Sequence, residues 1–272
     1  MQNSFKEIIK KTPLFGPIKK VRTNLSNLKF SLVRRLKPHS IILLYHRVAN
    51  VNSDPQLLCV SPTNFEQQIY CLKIKYKFIS LSELGHQIKT GRVERNTLVI
   101  TFDDGYLDNL TDALPILTKY KVPATIFVTA GKIDDKKPFD WDNGTPVSDR
   151  GAALNQQELI ALASSPLIEI GAHTMTHPHL SALSAQDQRL EIEQSKKKIQ
   201  SILGKEVSAF AYPFGTQADF TIETEEIVRS AGFKVACANF FGITTNSSDV
   251  FKLPRLLIRN WSADELIAKT NL

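Results

Sequence analysis

Leu98-Val99-Ile100-Thr101-Phe102-Asp103-Asp104-Gly105 is the stretch whose reading decides the fold. Its apolar and β-favouring run makes a strand buried on both faces, the kind found inside parallel sheets. It then breaks into two adjacent carboxylates and a glycine, poor material for continuing a sheet. Neighbouring side chains on a strand point to opposite sides, and two close carboxylates push each other's pKa apart. The two acids therefore take different roles. One fits a metal ligand and the other a general base, and the pattern alone leaves open which is which.

Working outward, apolar strand-length runs recur at 41–45, 98–102, 124–128, 167–172, 207–212, 234–238 and 255–259. Helical patterns separate most of them. Ser61-Pro62 starts a helix carrying Phe65, Ile69 and Leu72, a short one around 84–88 runs out at Gly91, and another covers 109–120. Asn155 caps a fourth, Ser184-Ala-Gln-Asp187 opens a long fifth closed by Gly204, 223–231 stops at Gly232, and Ser262 caps the last. Seven strands alternating with helices predict a parallel sheet with right-handed crossovers, open or closed as a barrel. The segment 130–153 is too long for a simple connector and is read as an ordered active-site loop bearing Trp141.

In a parallel sheet the strands' carboxyl ends share one face, where barrel enzymes keep their chemistry. His46, Asp103 and Asp104, His173, Tyr212-Pro213-Phe214-Gly215 and Arg259 all fall just past such ends. His173-Thr-Met-Thr-His177 is a ligand pair by spacing, since imidazoles four apart lie on one face of a helical turn. No glutamate lies between them, so the base must come from elsewhere. One aspartate with two histidines leaves metal positions open for water and substrate. His86 and His179 take no catalytic part in this reading.

Thr101-Phe-Asp-Asp-Gly105, His173-Thr-x-x-His177 and the Tyr-Pro-Phe-Gly turn at 212–215 together resemble the signature motifs of the polysaccharide deacetylases, the NodB-homology or carbohydrate esterase 4 group. The likeness runs from Ile41 to the carboxyl terminus and is tightest over 98–215. It implies an α/β fold, a distorted (β/α)7 barrel of NodB-homology type, and a hydrolase that removes N-acetyl groups from amino sugars of a polysaccharide, glycolipid or lipid-linked precursor. It further implies a divalent metal, usually Zn2+, on Asp104, His173 and His177. Asp103 would be the base, the Phe214 N–H the oxyanion donor, and Tyr212 and Trp141 substrate contacts.

Two positions depart from the family pattern. The arginine that usually pairs with the base is replaced by Ala211; Arg255 is a candidate substitute, the alternative being that it is an ordinary structural or surface arginine. The usual carboxyl-terminal Leu-x-His is missing, whereas Leu44-Tyr45-His46 supplies that motif at the first strand. First and last strands adjoin in a barrel, so His46 is assigned as the acid for the leaving amine, as in the circularly permuted branch. These departures motivate one alternative, a non-catalytic glycan-binding member of the fold. A deformylase or O-acetyl esterase on a related sugar is another.

Composition places limits on the rest. The 272 residues, 42% apolar and 22% charged, have enough core for one large domain or two. No run approaches the roughly 20 apolar residues of a membrane span, and no signal-peptide h-region is recognisable. The three cysteines have no metal or disulfide spacing and read as buried thiols. The net charge of +7 is concentrated at one end: residues 1–37 carry ten Lys or Arg against the single acid Glu7. With interleaved Phe, Ile and Leu, this basic amphipathic leader is a candidate for an anionic membrane surface rather than for nucleic acid, preceding a deacetylase domain over 38–272 with core motifs in 97–215. The expected location is cytoplasmic, peripheral to the inner face of the cell membrane, with a carbohydrate substrate and no protein partner.

Overall fold

Helix and strand alternate along the chain in the computed structural model, which describes residues 38–270 and 272. The elements are β1 (Ser40–Tyr45), β2 (Arg47–Val48), β3 (Cys59–Val60), α1 (Pro62–Lys75), β4 (Lys77–Phe78), α2 (Leu81–Lys89), β5 (Thr97–Phe102), α3 (Leu114–Tyr120), β6 (Ala124–Val128), α4 (Gln156–Ala163), β7 (Ile168–Ala172), α5 (Ala185–Leu203), β8 (Ala209–Ala211), α6 (Ile222–Ser230), β9 (Val235–Cys237), β10 (Leu256–Leu257) and α7 (Ala263–Thr270). All seven expected strands form. The short β2, β3 and β4 carry too few residues to leave a periodic signal. Residues 1–37, where the basic leader was expected, lie outside the described residues.

The main sheet is parallel throughout, in the order β10-β1-β5-β6-β7-β8-β9, with β4 also beside β5. Its two ends approach through one segment: Leu253 bridges Cys237 of β9 while Leu256 and Leu257 pair with Leu43 and Leu44 of β1. This is a curled parallel sheet, the distorted barrel that the family resemblance implied where the alternation alone left the sheet open or closed, and it makes first and last strands neighbours.

Side chains divide by strand parity. Ile41, Leu43 and Tyr45 of β1 and Leu98, Ile100 and Phe102 of β5 join the large core beneath the outer helices. Ile42, Val99, Phe127 and Ala211 turn the other way and pack with Leu81, Leu84 and Ile88 of α2. Truncating one of these buried aliphatic residues to alanine costs about 2–5 kcal/mol in comparable cores. Helix starts follow their caps: Ser61 Oγ accepts the Asn64 N–H with Pro62 in the first turn, and Asn155 and Glu158 form a reciprocal capping box. Gly204, at φ 63°, ends α5. Cys59 and Cys237 are buried, and burial pushes both thiols up to about 12, so neither is a reactive thiolate at neutral pH.

Candidate active site at the carboxyl ends of the strands

Register brings the site together. Tyr45 pairs with Phe102, so His46 and Asp103 leave adjacent strands at one level, and Ala172 lies between Val128 and Phe210, which places His173 on the same rim. The two adjacent acids separate as alternation requires. Asp103, only 4% exposed, receives the Arg255 guanidinium on both oxygens: Nη1 donates to Oδ1 and Nη2 to Oδ2, each at 2.7 Å. The same guanidinium donates through Nε to the Ala238 carbonyl at 2.8 Å and through Nη1 to Thr101 Oγ1 at 3.3 Å. All three nitrogens of this buried guanidinium thus have a partner. It reaches Asp103 from the segment before β10 instead of from β8, where Ala211 leaves the place open. Of the two departures that motivated a non-catalytic reading, the missing arginine is thus filled.

Asp104 takes left-handed backbone, φ 73°, and turns towards the histidines. Its Oδ1 lies 3.7 Å from His173 Nε2 and 3.6 Å from His177 Nε2, and it is a buried acceptor without a donor. One ligand atom from each of Asp104, His173 and His177 falls within 4.8 Å of the others, the only such trio among the described residues. An orphaned buried carboxylate oxygen facing two imidazole nitrogens fits a divalent cation. His173 is oriented for that role because its Nδ1 donates to the Ala211 carbonyl at 2.7 Å, leaving Nε2 towards Asp104.

The histidine pair is not on a helical turn, which corrects the expectation from spacing. Residues 173–178 form an irregular turn with Thr174 at φ 64° and His177 at φ 61°, uncommon backbone for such side chains and a mark of a site held by its surroundings. Thr174 Oγ1 donates to the His173 carbonyl and accepts the His177 N–H. Ala130 and Gly131 donate to the carbonyls of Thr174 and Met175, and a Cβ on Gly131 would lie 2.3 Å from the Met175 oxygen, so only glycine allows this approach. Glu191, on α5, accepts the N–H groups of Met175 and Thr176 at 2.8 Å each and the Thr176 hydroxyl. Sequence reasoning missed Glu191. On a polar helix it is one charge among many, and only the fold brings it under the turn.

Electrostatics differ sharply across the cleft. Burial would raise Asp103, but the Arg255 charge and hydrogen bonds outweigh it and hold the carboxyl at about 2. Asp104 is driven well up by burial and by the charges of Asp103 and Asp142, the condition a cation would relieve. Burial lowers both imidazoles that face Asp104, His177 to about 2, which keeps them neutral and able to ligate a cation. His46 is brought down to about 4, chiefly by burial, with Asp103 opposing and Arg255 and His173 reinforcing the shift.

Aromatic rings wall the site. Trp141 arrives on the long 130–153 segment, stacks on Phe139, donates its Nε1–H to Tyr106 Oη at 2.8 Å, and lies 4.6 Å from the His177 ring. Phe214, at φ 57° and 41% exposed, stands edge-on to His177 at 4.8 Å. Its backbone N–H has no acceptor among the described residues. Tyr212 is a correction. Its ring is buried against Phe220, its hydroxyl donates to the Phe251 carbonyl and its N–H to the Cys237 carbonyl, so neither its ring, its hydroxyl nor its N–H faces the cleft. Arg259 instead ties down the loop at Gln56 and Leu57.

Known proteins resemble this chain. The family model described as Polysaccharide deacetylase matches residues 90–236. The chain is 27% identical over 252 residues to the poly-beta-1,6-N-acetyl-D-glucosamine N-deacetylase of Staphylococcus aureus (strain MRSA252), covering 85% of this chain and 82% of that relative. Among solved structures it superposes on IcaB from Ammonifex degensii with a TM-score of 0.68 and 25% identity, over 85% of this chain and 96% of that one. The Streptococcus pyogenes deacetylase PplD, solved with acetate, shares the fold at a TM-score of 0.69 and 24% identity, over 85% and 97%.

Proposed function

The chain belongs to the polysaccharide deacetylase family, and from that premise we propose that it removes N-acetyl groups from a β-1,6-linked N-acetylglucosamine polymer with the help of one divalent metal, Zn2+. The observation that carries the reading is the division of labour between the adjacent acids: Asp103 clamped by Arg255, Asp104 left open towards two neutral imidazoles. The substrate class follows the Staphylococcus aureus relative.

Asp104, His173 and His177 would hold the metal, and the one-oxygen, two-imidazole donor set suits zinc. When bound, it supplies a Lewis acid that lowers the pKa of water towards about 7 and polarises the amide carbonyl. Asp103 takes the proton of the attacking water. Arg255 keeps this base ionised and fixes both of its oxygens, so no rotamer search precedes proton transfer. The unengaged Phe214 N–H stabilises the oxyanion that develops on the acetyl oxygen. His46, just past the neighbouring strand from Asp103, is neutral at rest, so it takes up the proton that Asp103 removed from water and passes it to the leaving amine nitrogen, and acetate and the free amine result. Trp141 packs on the sugar opposite Phe214.

Acetate release from β-1,6-linked N-acetylglucosamine oligomers tests the reading. Zinc-loaded protein is expected to release acetate and no formate, to stop on chelation and to recover when zinc is returned. No release from any oligomer under zinc, or undiminished release by Asp104→Asn or His173→Ala, would overturn it.

A further inference from the structure

His179 lies beyond the metal-ligand motif, and the reaction described above gives it no task, yet the structure builds it with care. Its Nδ1 donates to Asp219 Oδ1 at 2.7 Å. Asp219 is itself buried and fixed: its Oδ2 accepts the Thr216 N–H and the Thr216 hydroxyl, and its carbonyl accepts the Ser181 N–H. With Nδ1 committed, Nε2 is the imidazole atom left for a ligand. The ring lies flat on Phe214, with centroids 3.7 Å apart and planes within 6°, while the side chain remains 55% exposed. Phe214 in turn meets the metal-site His177 edge-on. His177, Phe214 and His179 thus form a ladder of rings leading from the reacting centre to solvent, and the outer rung shows one aromatic face and one directed nitrogen.

A flat ring beside a fixed polar atom is how proteins hold a pyranose, whose C–H face packs on the ring while a hydroxyl takes the hydrogen bond. We infer that His179, oriented by Asp219 and backed by Phe214, forms a second sugar subsite that binds the residue adjoining the one being deacetylated, and so makes the enzyme prefer polymer over single sugars. This rests on the proposed function. It adds to that reading a reason for chain-length preference, carried by a residue outside the reacting set.

The test compares wild type, His179→Ala, His179→Gln and Asp219→Asn on two zinc-dependent reactions and one binding measurement. The reactions are deacetylation of a β-1,6-linked N-acetylglucosamine tetramer and hydrolysis of an aryl acetate that carries no sugar. The binding measurement is calorimetric affinity for the fully deacetylated tetramer, which does not react. His179→Ala is expected to raise the tetramer KM about tenfold, as loss of one hydrogen bond with its ring contact implies. It should weaken product binding similarly and leave tetramer kcat and aryl acetate hydrolysis within about twofold by the same arithmetic. His179→Gln should recover part of the affinity, and Asp219→Asn should fall between. Equal losses on tetramer and aryl acetate, or unchanged tetramer KM and product affinity in His179→Ala, would overturn the subsite. Wild type that binds the tetramer without deacetylating it would refute the proposed function, while the affinity of His179→Ala would still decide the subsite. Wild type that does neither would refute both.

Discussion

Two buried arginine–aspartate pairs in this molecule have opposite outcomes. At the reacting centre, Arg255 meets Asp103 with two contacts of 2.7 Å and holds its carboxyl at about 2. Behind it, Arg47 meets Asp108 with a single contact of 2.9 Å and divides its donors with the Asp149 carbonyl; burial prevails there and Asp108 rises to about 6. Exposure does not separate them, since Asp103 is 4% and Asp108 8% accessible. Geometry does. A bidentate guanidinium offsets the loss of water from a carboxylate, whereas a single shared contact leaves the acid able to take a proton. The first pair suits a permanently ionised base and the second a structural tie.

The largest expected difference between the pairs is in the arginine deletions. Arg255→Ala strands a buried carboxylate and should cost about 3–5 kcal/mol in urea unfolding, with deacetylation abolished. Arg47→Ala should cost only about 1–2 kcal/mol, because Asp108 can neutralise itself. Equal losses would dissolve the distinction.

The pH dependence of stability should carry opposite signs. Asp103, depressed on folding, contributes about 2 kcal/mol that is present above pH 4 and lost as pH falls from about 4 towards 2. Asp108, raised on folding, contributes fully below about pH 4 and loses about 2–3 kcal/mol as pH climbs through 6. Asp103→Asn should therefore flatten the acid limb of the stability profile, and Asp108→Asn the limb between pH 4 and 6. Chemical denaturation across pH 2–8 reads both.

A smaller effect sharpens the contrast between residues that react and residues that support. Glu191→Gln removes the charge that holds the Met175 and Thr176 N–H groups and should weaken zinc about 10-fold by chelator competition, within the range for residues that orient ligands from behind. Affinity equal to wild type would show that the turn holds itself. The smallest effect concerns residues 1–37. Their deletion should abolish co-sedimentation with anionic vesicles and leave acetate release unchanged; co-sedimentation that persists would exclude this segment as the anchor.

Much of the candidate site is legible in the sequence. Buried strands announce themselves as apolar runs, and chemistry gathers at their ends in a parallel sheet, so Asp103, Asp104, His173 and His177 could be read from local pattern. Arg255 was legible only as a candidate: the family motif left a hole at Ala211, and the fold shows that this arginine reaches Asp103. What stayed hidden depends on contacts between distant segments. The backbone of 173–178 is set by Gly131 and Glu191 from other elements, so spacing alone suggested a helix that does not form. Tyr212 misled because motif proximity says nothing about which side of a strand a ring takes. His179 gives no local signal because its partners, Asp219 and Phe214, lie 40 and 35 residues along the chain.

The central claim is that the adjacent acids do separate work, and zinc stoichiometry measured beside acetate release tests it most directly. Asp103→Asn is expected to retain one zinc per chain and lose acetate release, whereas Asp104→Asn is expected to lose the zinc itself. Full zinc in Asp104→Asn, or undiminished acetate release in Asp103→Asn, would contradict the assignment.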